Sequence, residues 1–339
     1  MDSLAALDLV ALTRALVDID STTGREAEAC RWMAAYLSGQ GWTVVEQPVD
    51  ADRFNVMATA GAPPRVVLST HIDCVPPFFG SRLDGDVLYG RGACDAKGIL
   101  ATQVTVAERL RAAGEQRLGL LIVVGEERGS DGAIAAAGPD VSPRFLVNGE
   151  PTGNRLGVAT RGAYRVKLSA TGRACHSAFP EEGESAVTRL LAALGRLAQL
   201  PLPTDPVLGS THYNIGVLHG GVAPNVIPAS AEADVMFRTV GDAGALDALL
   251  TTLTSFVDVE PIIEVPPVRL RTLDGFDTVA VPYTTDIPLL KGWGTPLLVG
   301  PGSALVAHTD EERIAVAELE EGVETYVRLV SRLLDSDGA

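Results

Sequence analysis

The sequence of 339 residues is long enough for two domains with cores of their own, and 46% of its residues are apolar, which is typical of a folded protein. Its formal net charge of −16 argues against nucleic acid or an anionic membrane as a partner. No apolar stretch approaches the roughly 18–20 residues that a membrane-spanning helix needs.

The N-terminus is predicted to be an amphipathic helix rather than a targeting signal. Residues 1–19 carry acids where a signal peptide is basic, and their apolar residues recur at helical spacing. The cysteines form no C-x-x-C pair, so reduced and buried thiols are expected at Cys30, Cys74, Cys94 and Cys175. These features indicate a cytoplasmic protein.

Helices and apolar strands alternate over the first half of the chain. A second helix is predicted at residues 25–37, after Ser21-Thr22-Thr23-Gly24, a run of residues that favour a helix cap. Strands are predicted at 42–46, 54–58, 118–124, 145–147 and from 66 to the pair His71-x-Asp73, with helices at 99–113 and near 132–137. Because these strands include continuous apolar runs, they predict an α/β fold with a mixed, mainly parallel sheet flanked by helices.

The pattern changes at about residue 161. Strands are predicted at about 164–170, 211–218, 229–238 and 259–265, and helices at 185–198 and 243–256. This order matches a ferredoxin-like βαββαβ unit. After Pro266-Pro267 the earlier pattern returns, with strands at 278–281 and 297–299 and helices at 286–292 and 315–334. We therefore predict a larger discontinuous domain, residues 1–160 and 269–339, with a small domain inserted at 161–268.

Acids and histidines follow the predicted strands of the larger domain. They are His71 and Asp73, Asp95 after a glycine-rich turn, Glu126-Glu127, Glu150 and, near the end of the chain, His308. Taken alone, the His-x-Asp pair indicates a capped turn, and the paired glutamates indicate a solvated helix start. Because the carboxyl ends of strands in one sheet share an edge, the joint pattern predicts that these side chains meet.

Two histidines with three or four carboxylates suit two divalent ions, and zinc readily takes nitrogen and oxygen ligands. A water between two metals ~3.5–4 Å apart becomes more acidic, and a carboxylate that is not a ligand can take its proton. Adjacent Glu126 and Glu127 fit this division, one as ligand and the other as base. The sequence therefore predicts a two-metal hydrolase site.

Seven motif segments, in this order, resemble the zinc aminoacylase and carboxypeptidase G family of metallopeptidases. Within this family the sequence is similar to acetylornithine deacetylase and succinyl-diaminopimelate desuccinylase. The segments are STHIDCVP, LYGRGACDAKG, VVGEERGS, NGEPT, GRACHSAFP, GGVAPNVIPASAEADVMFR and GPGSALVAHTDEE. The resemblance covers nearly the whole chain and implies a zinc exopeptidase-like fold.

The resemblance implies a role for each residue of the predicted site. The expected ligands of two Zn²⁺ ions, for which Co²⁺ can substitute, are His71, Asp95, Glu127, Glu150 and His308. Asp95 would bridge both ions and would precede a cis peptide at Asp95–Ala96. His71 and His308 would bind different ions, as would Glu127 and Glu150. Asp73 would orient His71, and Glu126 would be the general base that deprotonates the bridging water and later protonates the leaving amine.

The inserted domain also carries motifs of the family, and they imply a homodimer formed through this domain. His176 would reach the partner subunit's site and donate a hydrogen bond to the oxyanion. Asn225 and Arg238 would bind the polar backbone of the substrate. The alternative for His176 is an ordinary surface histidine, and the alternative for Arg238 is a structural salt bridge. His212 and His219 belong to no motif and are expected to be structural.

The resemblance implies a di-zinc amidohydrolase that removes an acetyl or succinyl group from an N-acyl-L-amino acid, a reaction of amino-acid biosynthesis. Two alternatives stay open: a dipeptidase or carboxypeptidase with the same site, and an inactive family member that binds amino acids. Other enzyme classes lack their motifs here. The glycine-rich turn has no third glycine of a dinucleotide fingerprint, and the sequence contains neither a P-loop nor a G-x-S-x-G elbow.

Overall fold

The computed structural model describes residues 8–336. The chain divides into two compact units: unit 1 comprises the described residues up to 158 with 270–279 and those from 285, and unit 2 comprises 159–269 with 280–284. Residues 1–7, where the predicted N-terminal helix begins, lie outside the described part. None of the helices within residues 8–336 combines the length and apolar character needed to cross a membrane.

The helices within residues 8–336 are α1 (Leu9–Val17), α2 (Ala27–Gly39), α3 (Lys97–Ala112), α4 (Asp131–Ala135), α5 (Ala186–Leu197), α6 (Ala243–Leu250) and α7 (Val316–Asp335). Short 3₁₀ turns lie at Glu126–Arg128, Pro180–Glu182 and Thr251–Leu253. The strands are β1 (Thr43–Pro48), β2 (Phe54–Thr59), β3 (Val66–His71), β4 (Arg82–Asp84), β5 (Val87–Tyr89), β6 (Leu118–Val123), β7 (Phe145–Asn148), β8 (Leu156–Thr160), β9 (Gly162–Thr171), β10 (Cys175–His176), β11 (Thr204–Asp205), β12 (Gly209–Ser210), β13 (His212–Gly220), β14 (Val226–Ile227), β15 (Ser230–Thr239), β16 (Asp258–Val265), β17 (Val268–Arg269), β18 (Thr278–Val281), β19 (Thr295–Leu298) and β20 (Arg313–Ala315).

A six-stranded sheet organises unit 1, in the order β1-β2-β6-β3-β7-β19. The central strand β3 runs parallel to β6 and β7, and β7 runs parallel to β19, whereas β2 pairs antiparallel with β1 and β6. Every residue of β3 and β6 is buried, as expected of strands covered on both faces. The predicted α/β fold with a mixed, mainly parallel sheet flanked by helices is confirmed.

Successive strand residues point to opposite sides of the sheet, so the apolar strands present buried side chains on both faces. Packing elements therefore cover both faces. Val66 and Leu68 pack in one core cluster with residues of α1, α2, α3 and α7. Val67, between them, packs in a second cluster with Ala133 of α4 and Trp293. The two cores pack against opposite faces of β3 and so position its carboxyl end.

Unit 2 has a four-stranded antiparallel sheet in the order β13-β15-β9-β16. Helices α5 and α6 pack on one face, where alternate residues of β9 and β15, such as Val166 and Val235, form the core. The connection order β9-α5-β13-β15-α6-β16 is the ferredoxin-like arrangement that the sequence predicts. Its role in dimerisation stays a prediction.

Four local predictions need correction. The predicted helix at 286–292 is a series of turns, because Pro288 has no backbone N–H and disfavours helical geometry at the residue before it. Helix α6 ends at Leu250 rather than 256, where the Thr251 hydroxyl donates to the carbonyl of Asp247. Helix α2 begins two residues later than predicted, at Ala27. Cys175 is only half-buried, whereas the other three cysteines are buried; all four are free.

Candidate metal centre

Five of the predicted site residues lie at the carboxyl edge of the unit 1 sheet. His71 is the last residue of β3, and Glu150 lies just beyond β7. Glu126 and Glu127 form the 3₁₀ turn that follows β6. Asp95 lies between β5 and α3, and the Asp95–Ala96 peptide is cis, as predicted. Parallel strands that end side by side bring these residues to one place.

The two carboxylate oxygens of Asp95 face two different histidines. Its Oδ1 lies 3.1 Å from His71 Nε2, and its Oδ2 lies 3.5 Å from His308 Nε2. The same His308 nitrogen lies 2.9 Å from Glu127 Oε1. Potential ligand atoms of His71, Asp95 and Glu127 lie within 4.8 Å of one another. This geometry suits a carboxylate shared between two ions.

The carboxylates at this edge are only partly compensated by the two histidines. Burial raises the pKa values of Glu126 and Glu150 well above their usual range, and repulsion from nearby carboxylates adds to the effect. Glu150 Oε1 is buried and has no hydrogen-bond partner among residues 8–336. A divalent cation would offset the repulsion and give this oxygen a partner. The residues therefore fit a metal site.

Carboxylates that accept hydrogen bonds from His71 and His308 favour the protonated, positively charged form of each ring. Hydrogen bonds to Asp95 and Glu127 raise the pKa of His308 to about 10. Burial disfavours the protonated form of His71, but hydrogen bonds to Asp73 and Asp95 outweigh it and raise its pKa well above the usual range. Protons and metal ions compete for the same nitrogen atoms, so a bound cation would replace these protons.

Asp73 makes more contacts than the sequence predicts. His71 Nδ1 lies 3.0 Å from the Asp73 main-chain oxygen and 3.4 Å from its carboxylate. The carboxylate itself accepts hydrogen bonds from the backbone N–H groups of Glu126, at 3.0 Å, and Glu127, at 3.1 Å. Asp73 thus contacts the predicted ligand His71 and also fixes the turn that carries the two glutamates.

A buried ion pair supports Asp95, and sequence reasoning missed it. Arg91 and Glu312 lie 2.6 Å apart with fully buried side chains. The other oxygen of Glu312 accepts from the backbone N–H groups of Gly92, at 3.0 Å, Cys94, at 3.2 Å, and Asp95, at 3.0 Å. The available signal was the position of both charges inside motif segments, LYGRGACDAKG and GPGSALVAHTDEE. Glu312 follows His308 by four residues, so the two loops that carry Asp95 and His308 are tied together.

The remaining predicted residues lie in unit 2. Strand β10 pairs His176 with Val226, and Ser177 N–H donates to the Asn225 carbonyl at 3.0 Å, so His176 and Asn225 are neighbours. The exposed His176 ring accepts a hydrogen bond at Nδ1 from Ala178 N–H, at 3.1 Å, which leaves Nε2 to donate outward. Arg238 lies apart from them on β15 and donates to the Thr284 hydroxyl at 3.3 Å.

The two histidines without motifs have structural neighbours. His212 Nδ1 lies 3.1 Å from an Arg161 guanidinium nitrogen, and His219 pairs with Glu232 across β13 and β15. These contacts agree with the structural roles that the sequence indicates.

Carboxylates and histidines gathered at the carboxyl edge of an α/β sheet are typical of a metal-dependent hydrolase. Residues 67–332 match peptidase family M20/M25/M40. The chain belongs to this family of metallopeptidases and is a hydrolase that acts on amide bonds. The resemblance to the zinc aminoacylase and carboxypeptidase G family is thereby confirmed.

Similar proteins of known sequence or structure align with almost the whole of this chain. A probable carboxypeptidase of Aspergillus terreus is 39% identical over 97% of this chain and 87% of its own length. A tripeptidase from Staphylococcus aureus has the same fold, with a TM-score of 0.81 at 20% identity, and the match covers 97% of this chain and 98% of that one. A dinuclear metal-binding peptidase of the M20 family from Bacillus subtilis gives a TM-score of 0.70 at 15% identity, with coverage of 96% and 98%.

Proposed function

We propose that this protein is a di-metal carboxypeptidase or dipeptidase, which cleaves the amide bond next to a free α-carboxylate. The two-metal chemistry is supported by the position of Asp95, whose two carboxylate oxygens lie 3.1 Å from His71 and 3.5 Å from His308. The peptide substrate is favoured by the probable carboxypeptidase that is 39% identical to the chain.

Two Zn²⁺ ions, for which Co²⁺ could substitute, would be held by His71, Asp95, Glu127, Glu150 and His308, with Asp95 shared. Ions bound there would polarise the amide carbonyl and lower the pKa of water. Glu126 lies at the same edge and is proposed to take the proton from water and return it to the leaving amine. Burial and the neighbouring Glu150 raise the pKa of Glu126 above its ordinary value, so the carboxyl holds a proton more readily than a solvated glutamate does.

The substrate-binding roles come from unit 2. Arg238 is proposed to bind the α-carboxylate of the substrate, because a guanidinium can donate two parallel hydrogen bonds to it. Asn225 would bind a polar backbone group. His176 would donate from Nε2 to the oxyanion in the partner subunit's site.

A homodimer is proposed through the edge of the unit 2 sheet. Strand β13 is one of the two end strands of that sheet. Its side chains include the exposed apolar residues Ile215 at 38%, Val217 at 42% and Leu218 at 52%. A long apolar edge strand can pair with the same strand of a second copy around a two-fold axis.

Subunit mixing tests the dimer and His176 together. Glu126→Gln dimers and His176→Ala dimers are each expected to be inactive, because every site in either dimer lacks one of the two required side chains. A mixed dimer would hold one site with both groups, so activity should return to about a quarter of the wild-type value in a statistical mixture. No recovery after verified subunit exchange would contradict a role for His176 across the dimer.

An N-acyl-L-amino acid is the second candidate substrate, favoured by the motif set that resembles acetylornithine deacetylase. It presents the same amide bond beside an α-carboxylate, so the site chemistry is unchanged. The specificity for an acetyl or succinyl group, a role in amino-acid biosynthesis and a cytoplasmic location stay predictions.

A hydrolysis screen with added Zn²⁺ or Co²⁺ tests the proposal. Dipeptides and tripeptides should lose their C-terminal residue, and the same peptides with an amidated C-terminus should resist cleavage. Higher kcat/KM for N-acetyl or N-succinyl amino acids than for every peptide would instead support the deacylase. Binding of amino acids without hydrolysis of any substrate would support an inactive family member.

A further inference from the structure

The segment of residues 21–26 includes the run Ser21–Gly24, which the sequence indicates as a helix cap, but its polar groups bind a different part of the molecule. The N-cap residue of α2 is Glu26, and its side chain makes no capping hydrogen bond. The polar groups of the segment instead contact the end of β3. Ser21 Oγ donates to the Ile72 carbonyl at 2.6 Å, Cys74 N–H donates to the Ser21 carbonyl at 3.2 Å, and Thr23 N–H donates to the Cys74 carbonyl at 3.1 Å.

Thr23 has one contact that reaches the metal centre. Its hydroxyl donates to Asp73 Oδ2 at 2.9 Å. The same oxygen accepts from Glu127 N–H at 3.1 Å, and Asp73 Oδ1 accepts from Glu126 N–H at 3.0 Å. The Asp73 carboxylate is fully buried, so these donors decide how its plane is oriented. With the Thr23 bond in place, each oxygen is aimed at one amide.

The turn held by Asp73 is flanked by two glycines in the left-handed backbone region. Gly125 and Gly129, on either side of Glu126–Arg128, have φ angles of +75° and +102°, in the region that favours glycine. Glycine permits several backbone conformations, so hydrogen bonds from outside the turn must select one. The bonds from Asp73 to the amides of Glu126 and Glu127 meet this need.

A second connection runs from the same segment to the far end of that turn. The buried Glu26 carboxylate accepts from Gly24 N–H at 2.8 Å and lies 3.3 Å from Arg53. Arg53 also lies 2.8 Å from Asp131, the first residue of α4. Residues 21–26 are therefore linked to the chain on both sides of Gly129.

We propose that Thr23 is a positioning residue of the hydrolytic site. Acting through Asp73, its hydroxyl fixes the backbone of Glu126 and Glu127, and so places the proposed base and one proposed metal ligand. The functional part of this inference rests on the proposed two-metal hydrolase. Its structural part, the restraint of the 126–127 amides, does not depend on any activity.

The test compares Thr23→Val with Thr23→Ser and Thr22→Val. Valine keeps the shape of threonine and removes the hydroxyl, whereas serine keeps the hydroxyl. Thr22 provides the matched control, because its hydroxyl donates at 2.6 Å to Asp20 and the same substitution removes a hydrogen bond from the same segment. Each variant is studied as the full chain, with and without saturating Zn²⁺.

In Thr23→Val, amide hydrogen exchange of Glu126 and Glu127 should accelerate about tenfold, and Zn²⁺ affinity in a chelator competition should fall. With Zn²⁺ saturating, kcat should fall about tenfold with KM nearly unchanged, because a small displacement of a catalytic group is costly. Thr23→Ser should restore all three values to within about twofold, and Thr22→Val should leave them at wild-type levels even if its Tm falls.

Wild-type exchange, Zn²⁺ affinity and kcat in Thr23→Val would overturn the proposal. Equal effects in Thr22→Val, or no rescue by Thr23→Ser, would also overturn it, because loss of general stability would then explain the data. Failure of the proposed function has a different signature. The wild-type chain would hydrolyse no substrate, while the exchange and Zn²⁺ results would still decide the role of Thr23.

Discussion

The metal centre of unit 1 and the proposed substrate-binding residues of unit 2 are built in opposite ways. In unit 1, Asp73 is fully buried, and its carboxylate accepts hydrogen bonds from the Thr23 hydroxyl and two backbone amides and lies 3.4 Å from His71 Nδ1. In unit 2, His176 is exposed and its ring accepts one hydrogen bond from the neighbouring Ala178 N–H. The predicted metal site is therefore held by buried backbone contacts at Asp73, whereas His176, with its proposed role toward the substrate, is exposed.

This difference predicts where a small change has a large effect. In unit 1 the predicted ligands other than His308, whose side chain is half exposed, are largely buried close together, so replacing one charge alters the electrostatics of its neighbours. In unit 2, exposed charges are screened by solvent and contribute little to one another. The predictions below compare matched substitutions in the two units.

The largest effect is expected for Glu126→Gln. The amide keeps the size of the side chain but cannot accept the proton of water, so turnover should fall roughly 10²–10⁴-fold while Zn²⁺ binding and fold persist. The matched change in unit 2, Glu181→Gln on the exposed 3₁₀ turn, should leave kcat/KM unchanged. Steady-state kinetics with metal analysis checks both variants, and near-wild-type turnover by Glu126→Gln would remove its assignment as the base.

The next effect concerns the Arg91–Glu312 pair. Glu312→Ala would leave Arg91 buried without its partner and would free the three amides near Asp95, so the free energy of unfolding should fall by about 3–5 kcal/mol. Zn²⁺ affinity should fall as well, because the Asp95 loop loses its support. Urea unfolding and chelator competition measure the two quantities.

The unit 2 control for this variant is Glu232→Ala. Glu232 forms an ion pair with Lys167 at 2.6 Å, but both side chains are partly exposed to solvent, Lys167 at 35% and Glu232 at 45%. Its removal should cost less than about 1 kcal/mol and leave Zn²⁺ affinity unchanged. Equal losses in the two variants would show that burial does not distinguish these pairs.

The sequence predicts the order of elements and the gathering of the metal-centre residues because these follow from local patterns. Apolar runs such as Val66–Leu68 indicate buried strands, and strand ends in one sheet share an edge. The predicted helix at 286–292 is wrong because Pro288 lacks a backbone N–H and disfavours helical geometry at Ile287. Local composition also led the Ser21–Gly24 run to be interpreted as a cap for α2, although its hydroxyl groups bond to residues 72–74.

Long-range contacts between buried charges were outside the reach of sequence patterns. Arg91 and Glu312 are 221 positions apart, and nothing in either motif segment indicates that one carboxylate accepts three amides of the other loop. The bonds from Asp73 to Glu126 and Glu127 are of the same kind. Such contacts depend on tertiary geometry, which hydrophobic periodicity does not encode.

The smallest predicted effect is the pH dependence of the metal-free protein. Burial raises the pKa values of Glu126 and Glu150, and hydrogen bonds to Asp95 and Glu127 raise that of His308 to about 10. A carboxyl with a raised pKa binds its proton more tightly in the folded chain, so its penalty disappears as pH falls. The His308 contribution is complete below its unfolded pKa of about 6.5 and is lost as pH rises toward 10. Both effects make the metal-free chain more stable at pH 6 than at pH 8.

Metal binding should reverse this slope, because protons compete with ions for the same atoms. With chelator, Tm should rise by about 2–5 °C between pH 8 and pH 6, whereas with saturating Zn²⁺ it should fall over the same range. The metal-free Glu150→Gln variant should show a smaller rise, since it lacks one buried acid. The exposed Glu181→Gln variant of unit 2 should keep the wild-type slope. A metal-free Tm that falls on acidification would mean that the carboxylates at the sheet edge are not held close enough to repel one another.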